Sequence, residues 1–164
     1  LSGAKTVRDV ADMISGAAFS FGRQRTEGYY RALDSIRIAR DPSRVVWAKP
    51  YSAEAGMSGM RELLLRGRDF SAVFAATDEL AIGAIRALED EGIRVPEDVS
   101  VLGFDDIDIS SYIVPRLTTI RQPLADMGER TATLMHKSIT RDRIAELDVV
   151  LPYELLIRES TSRV

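Results

Sequence analysis

The feature that most constrains this chain is the run Phe74-Ala-Ala-Thr-Asp-Glu-Leu-Ala-Ile-Gly-Ala-Ile-Arg-Ala-Leu88, continued by Gly92-Ile-Arg-Val-Pro96 and Val99-Ser-Val-Leu-Gly-Phe-Asp-Asp106. Residues 72–76 are apolar without alternation, the mark of a strand covered on both faces, and residues 99–104 read as another buried strand. Between them, residues 78–91 repeat apolar side chains at helical spacing, and Gly92 supplies a stop. Strand, helix and strand in that order predict a right-handed parallel crossover. Each strand ends in a polar mouth, Thr77-Asp78 or Asp105-Asp106. Ligands of open α/β sheets sit beyond such carboxyl ends.

The same alternation extends outward. Residues 10–15 read as a strand, with Asp12 awkward inside it. Residues 21–36 read as a helix with Tyr29, Leu33 and Ile36 on one face, and Val45 to Ala48 as a strand. Residues 52–65 form a helix with Ser52 as N-cap. This βαβα order predicts an α/β fold with a doubly wound parallel sheet, a three-layer αβα sandwich. Residues 105–116 then form a long polar loop and residues 117–121 a short extended piece. A helix opens at Pro123, as N1, and runs to about Ile139 with a stripe of Leu124, Met127, Thr131, Leu134 and Met135. Residues 149–151 and 153–158 are closing strands, broken by Pro152 and so expected near an edge.

The chain's 164 residues suffice for one domain with a core. A net charge of −3 argues against this stretch alone gripping nucleic acid, which calls for a basic patch. No apolar run is long enough to span a bilayer and no charged-then-apolar leader opens the sequence. With the absence of cysteine, this fits a cytoplasmic protein.

At the strand ends two readings stand side by side. Asp78 reads as the N-cap of the helix after it, where a carboxylate suits the helix dipole. Asp105 precedes an irregular loop, so it either anchors that loop or accepts hydrogen bonds from a ligand's hydroxyls or ring nitrogen. Arg25 either forks onto a ligand or lies on a solvated helix face with Arg23 and Arg31. Tyr51, after Pro50, either stacks on a sugar or purine ring or fills the rim. Ser15-Gly16 is a third polar strand end.

Enzyme signatures are thin. No Gly-Lys-Ser/Thr follows Gly16 to Gly22, as a phosphate loop requires. Gly56-Met-Ser-Gly59 has the wrong spacing for a nucleophile elbow. His136 lies on a late amphipathic helix without a carboxylate partner. Asp105, Asp106 and Asp108 resemble a Mg²⁺ or phospho-acceptor cluster, but no lysine closes a later strand. The expectation is no catalysis, no cofactor and no metal site.

Ala76 to Leu88 and Val95 to Asp106, as quoted, resemble the lactose-repressor (LacI/GalR) family of transcription regulators. Ile14-Ser-Gly16, Arg25-Thr-Glu-Gly-Tyr29, Pro115-Arg-Leu-Thr-Thr-Ile-Arg-Gln-Pro123 and Glu154-Leu-Leu-Ile-Arg-Glu-Ser160 extend the resemblance over about residues 10–160. It implies a core of two periplasmic-binding-protein-like subdomains with a small effector, sugar or purine-like, between them. Effector contacts are then implied for Arg25, Tyr51, Thr77, Asp105 and Gln122. Thr77 stands where some members carry Asn. A homodimer interface is implied for Ala81, Ile82, Ile85, Tyr112 and Ile113, although the three helical residues fit a core equally well. Residues 8–122 and 148–160 would form the C-terminal subdomain. The helix in 123–140 would belong to an N-terminal subdomain that, like the DNA-binding headpiece, is absent from this stretch. Operator DNA would then be bound only through that headpiece. The alternative is a periplasmic sugar-binding protein of a transport system.

Overall fold

The computed structural model describes residues 10–14, 20–140 and 149–162. Ser15-Gly16, the loop from Gly16 to residue 19 and the opening residues 1–9 lie outside these, as do residues 141–148. The elements are β1 (Val10–Ile14), α1 (Ser20–Ser35), β2 (Val45–Trp47), α2 (Ala53–Arg66), β3 (Ala72–Ala75), α3 (Asp78–Asp90), β4 (Ser100–Leu102), β5 (Thr119–Arg121), α4 (Leu124–Thr140) and β6 (Glu154–Leu156).

β2, β1, β3 and β4 lie parallel in that order, with Met13 opposite Val46 and Ala75, and Val73 opposite Val101. β5 continues the sheet beside β4 through single bridges, Leu102 to Thr118 and Asp105 to Arg121, and pairs antiparallel with β6. Alternation within the strands feeds two separate cores. Val46, Val73, Ala75 and Val101 pack under α2 and α3 with Met60, Leu63, Leu80 and Leu88. Val45 packs on the other side with Tyr29 and Leu33 of α1, and Phe74 joins them. Helices therefore cover both sheet faces, the three-layer αβα arrangement expected from the sequence.

Local signals explain the helix ends. Ser52 caps α2 by accepting the amide of Ala55 at 3.2 Å. Gly92 takes φ 70° just beyond α3, and the Ile93 amide reaches back to Leu88 O at 2.9 Å, closing the helix in the left-handed manner glycine favours. α2 and α3 meet at backbone contact. A Cβ on Gly83 would lie 1.9 Å from Ala53 O, and one on Gly56 would lie 2.3 Å from Leu80 O.

Several expectations need correction. Ile36 falls just past α1 and is exposed, because the helix ends before it can turn inward. Residues 149–151 form no strand; Pro152 removes a ladder donor there, and Val149 and Leu151 instead line an apolar hollow with Met127 of α4. α4 begins at Leu124, one residue after Pro123, and none of its residues is buried. Its Leu124, Met127, Met135 and Ile139 stand in solvent.

Candidate functional site

Five chain segments deliver side chains to the carboxyl edge of the sheet. Arg25 comes from the second turn of α1, Tyr51 from the segment after β2, Thr77 from the end of β3, Asp105 from beyond β4 and Gln122 from beyond β5. These five line a single cup of about 520 Å³, together with Asp78, Glu79 and Ile107. All five effector contacts implied by the resemblance thus come together.

Arg25 is the best held of them. One guanidinium nitrogen donates to the carbonyl of Ala76, and Nη2 donates to Asp105 Oδ1 at 3.3 Å. The guanidinium carbon lies 3.7 Å from the centroid of the Phe104 ring, a cation–π contact. The solvated-face reading of Arg25 therefore falls. Gln122 Nε2 donates to the same Asp105 oxygen at 2.6 Å.

Burial sets the electrostatics of this pair. It holds the Arg25 guanidinium below its usual pKa, against the opposing attraction of Asp105. It also pushes the Asp105 carboxyl above the usual carboxylate value, although Arg25 and Gln122 oppose the shift. Burial in the cup leaves both charges short of solvation, and hydroxyls of a polar ligand would supply it.

The sign of the Asp105 shift gives a prediction. A carboxyl with a raised folded-state pKa binds its proton more tightly when folded than when unfolded. Stability is then lost as pH rises from the ordinary carboxylate value through the raised one, and the full cost is present at neutral pH. Asp105→Asn should raise Tm at pH 7 relative to the parent. The gap should shrink as pH falls into that window. Thermal melts at pH 7 and pH 4 check this, and an unchanged or lowered Tm at pH 7 would contradict it.

Thr77 takes the capping role read from sequence for Asp78, and Asp78 takes a role not read there. Thr77 is the N-cap of α3, its hydroxyl accepting the amide of Leu80 at 3.2 Å. Asp78 is the first helical residue and is wholly buried. Its carboxylate accepts from the Thr119 hydroxyl, from Ser110 Oγ at 2.6 Å and from the Ile107 amide at 2.9 Å. It pins the loop after β4 to β5, so it is a buried anchor rather than a cap.

The acidic trio does not converge. Asp105 faces Arg25, whereas Asp106 is gripped by Arg121 and Arg158. Phe104 was not singled out from sequence, and Asp106 was read only as part of a strand-end mouth and an acidic cluster, not as the partner of two arginines. An aromatic beside the strand-end acids, and two arginines on the closing strands, were the available signals. Of the implied interface residues, Ala81 and Ile85 are consumed by the chain's own core, because their face of α3 packs against α2. Ile82 and Ile113 are half-buried and Tyr112 is exposed.

Fold and cup together define a periplasmic binding protein-like domain, and the family so described matches residues 7–161. The chain belongs to this family, within its lactose-repressor (LacI/GalR) branch of transcription regulators. It is 36% identical over 155 residues to the helix-turn-helix-type transcriptional regulator CelR of Thermobifida fusca, covering 94% of this chain and 44% of that protein. To the regulator GalR of Escherichia coli it is 37% identical over 150 residues, covering 92% and 43%. Among solved structures, a CelR–cellobiose complex superposes with a TM-score of 0.88 at 35% identity, covering 93% of this chain and 46% of that one. A LacI-family regulator from Enterococcus faecium with bound ribose gives 0.82 at 33% identity, covering 94% and 57%. The chain spans less than half the length of these curated relatives. They are regulators rather than enzymes or transport components.

Proposed function

We propose that this chain supplies one wall of the effector cleft in a sugar-responsive transcription regulator. The observation that carries the reading is the Arg25–Asp105–Gln122 cluster at the floor of a cup opened by five strand and helix ends. A guanidinium and a carboxylate, side by side and poorly solvated, match the alternating donors and acceptors of vicinal hydroxyls. Tyr51 offers an apolar ring face at the rim. The sugars bound in the two structural neighbours support the class.

In this reading α4 packs into the regulator's other subdomain, which explains its exposed apolar stripe. Sugar bridging the two walls biases an open–closed equilibrium, and linkage carries that bias to the DNA affinity of headpieces on a homodimer in the cytoplasm. Tyr112, Ile113 and Ile82 remain as dimer contacts. No helix among the described residues is long and apolar enough to cross a membrane.

The test is a thermal-shift screen of mono- and disaccharides on the complete regulator, followed by calorimetry. Arg25→Ala and Asp105→Ala should each weaken the best sugar by about 10- to 100-fold, the range for hydrogen bonds to charged groups. Variants that bind every responding sugar as tightly as the parent would refute the reading.

A further inference from the structure

The two acidic residues after β4 have unusual backbones. Asp105 has φ 116° and Asp106 φ 56°. A φ of 116° at a residue with a Cβ is strained and persists only where the surroundings over-determine it. Part of the hold is the Asp105 amide, which donates to Ile120 O at 2.9 Å. Arg25 and Gln122 hold the Asp105 carboxylate, and the next residue, Asp106, is itself tied down. Its Oδ2 accepts from Arg121 Nε at 2.7 Å and its Oδ1 from Arg158 Nη2 at 2.6 Å. Its side chain is only 10% exposed and that of Arg158 15%, so this pair is shielded from solvent, whereas Arg121 is half exposed. Burial raises the Asp106 carboxyl, but the two arginines outweigh it and hold the group below the usual range. Arg158 also donates to Leu117 O at 2.9 Å, and Arg121 reaches Glu154 at 3.2 Å.

These contacts close a ring of four residues. Asp105 is bonded to Asp106, Asp106 is paired with Arg121, Arg121 is bonded to Gln122, and Gln122 donates back to Asp105. Half of the ring lines the cup. The other half grips both β5 and β6, and β5 runs directly into Pro123 and α4.

We propose that Asp106 is a positioning residue for the effector site: its ion pairs with Arg121 and Arg158 hold the Asp105 backbone in its left-handed turn and so aim Asp105 and Gln122 into the cup. The proposal rests on the sugar-cleft reading above. Asp106 then tunes sugar affinity without touching sugar.

The complete regulator carrying Asp106→Asn, Asp106→Gly or Arg25→Ala separates the possibilities. Without sugar, Asp106→Asn should speed hydrogen exchange of the Asp105 amide by about tenfold or more while α2 and α3 amides stay at parent rates. Asp106→Gly keeps the left-handed backbone easy but removes the carboxylate, and should behave like Asp106→Asn. An unchanged Asp105 amide in Asp106→Asn overturns the proposal. So does parent-like exchange in Asp106→Gly, or a rise spread evenly over α2 and α3. Titration with cellobiose and ribose adds a second arm for whichever of them the parent binds. Asp106→Asn should weaken that sugar about tenfold, and parent-like affinity in Asp106→Asn alongside a defective Arg25→Ala refutes positioning but keeps the cup. Parent-like affinity in Arg25→Ala instead removes the cup reading and the proposal with it. If the parent binds neither sugar, the exchange result alone decides.

Discussion

Gly83→Ala is expected to prevent stable folding. The added methyl would lie 1.9 Å from Ala53 O and 2.7 Å from the Met57 amide nitrogen, both backbone atoms of α2. No rotamer change relieves a clash with backbone, so the two helices must separate. Separation uncovers Met60, Leu80 and Leu88, all wholly buried. The cost should lie at or beyond the upper end of the ~1–3 kcal/mol typical of overpacking. Gly56→Ala presses on the same seam from the other side, against Leu80 O at 2.3 Å, and should behave alike. The control is Gly128→Ala on exposed α4, where nothing lies within 4 Å. There the substitution should stabilise by about 0.5–1 kcal/mol, through helix propensity alone. Urea denaturation followed by circular dichroism reads all three. A Gly83→Ala protein as stable as the parent would mean that α2 and α3 are not in backbone contact.

Asp78→Ala should be the most damaging change of a charged residue. It strips the acceptor from Thr119, Ser110 and the Ile107 amide inside a closed site. Hydrogen bonds to a charged acceptor are worth about 1.5–3 kcal/mol each, and stranded donors add to the loss. Relief from burying a charge offsets part of it, leaving an expected destabilisation of about 3–5 kcal/mol and a fall in Tm on the order of 10 °C. Asp78→Asn should lose far less. Its oxygen can serve Ile107 and Ser110 while its amide faces the Thr119 hydroxyl, which rotates to accept. Equal losses in the two variants would mean that charge, rather than donor satisfaction, is what the site requires.

The parts of this molecule legible from sequence are those set by periodicity. Unalternating strands, the Ser52 cap and the Gly92 stop each rest on a few neighbouring residues, and each was read to within about two residues. The cup residues Arg25, Tyr51, Thr77, Asp105 and Gln122 were legible as a set only through family resemblance, since spacing alone left Arg25 on a solvated face. What failed were choices between neighbours that need the third dimension. Thr77 and Asp78 are both good capping residues, and only the Ser110 and Thr119 hydroxyls waiting beyond α3 draw the aspartate inward. Ala81 and Ile85 carry the right helical spacing for an interface or for a core, and the glycine seam with α2 decides for the core. The ion pairs of Asp106 escaped notice because its partners lie 15 and 52 residues away, a distance over which charge pattern carries no register.

Ser160 has a consequence for how the protein is made. Its carbonyl accepts the Val101 amide at 2.7 Å, its hydroxyl donates to Val101 O at 2.7 Å, and the same hydroxyl accepts the Thr118 amide at 2.8 Å. During synthesis β1 to β4 can assemble from nearby crossovers, but Val101 must wait for a serine 59 residues further along. Until that residue clears the ribosomal exit tunnel, the flank of β4 presents unpaired backbone groups to other nascent chains. Thr118 covers Gly103 earlier, so it is the Val101 groups that stay open from the emergence of β4 until that of Ser160, after most of the core has been delivered.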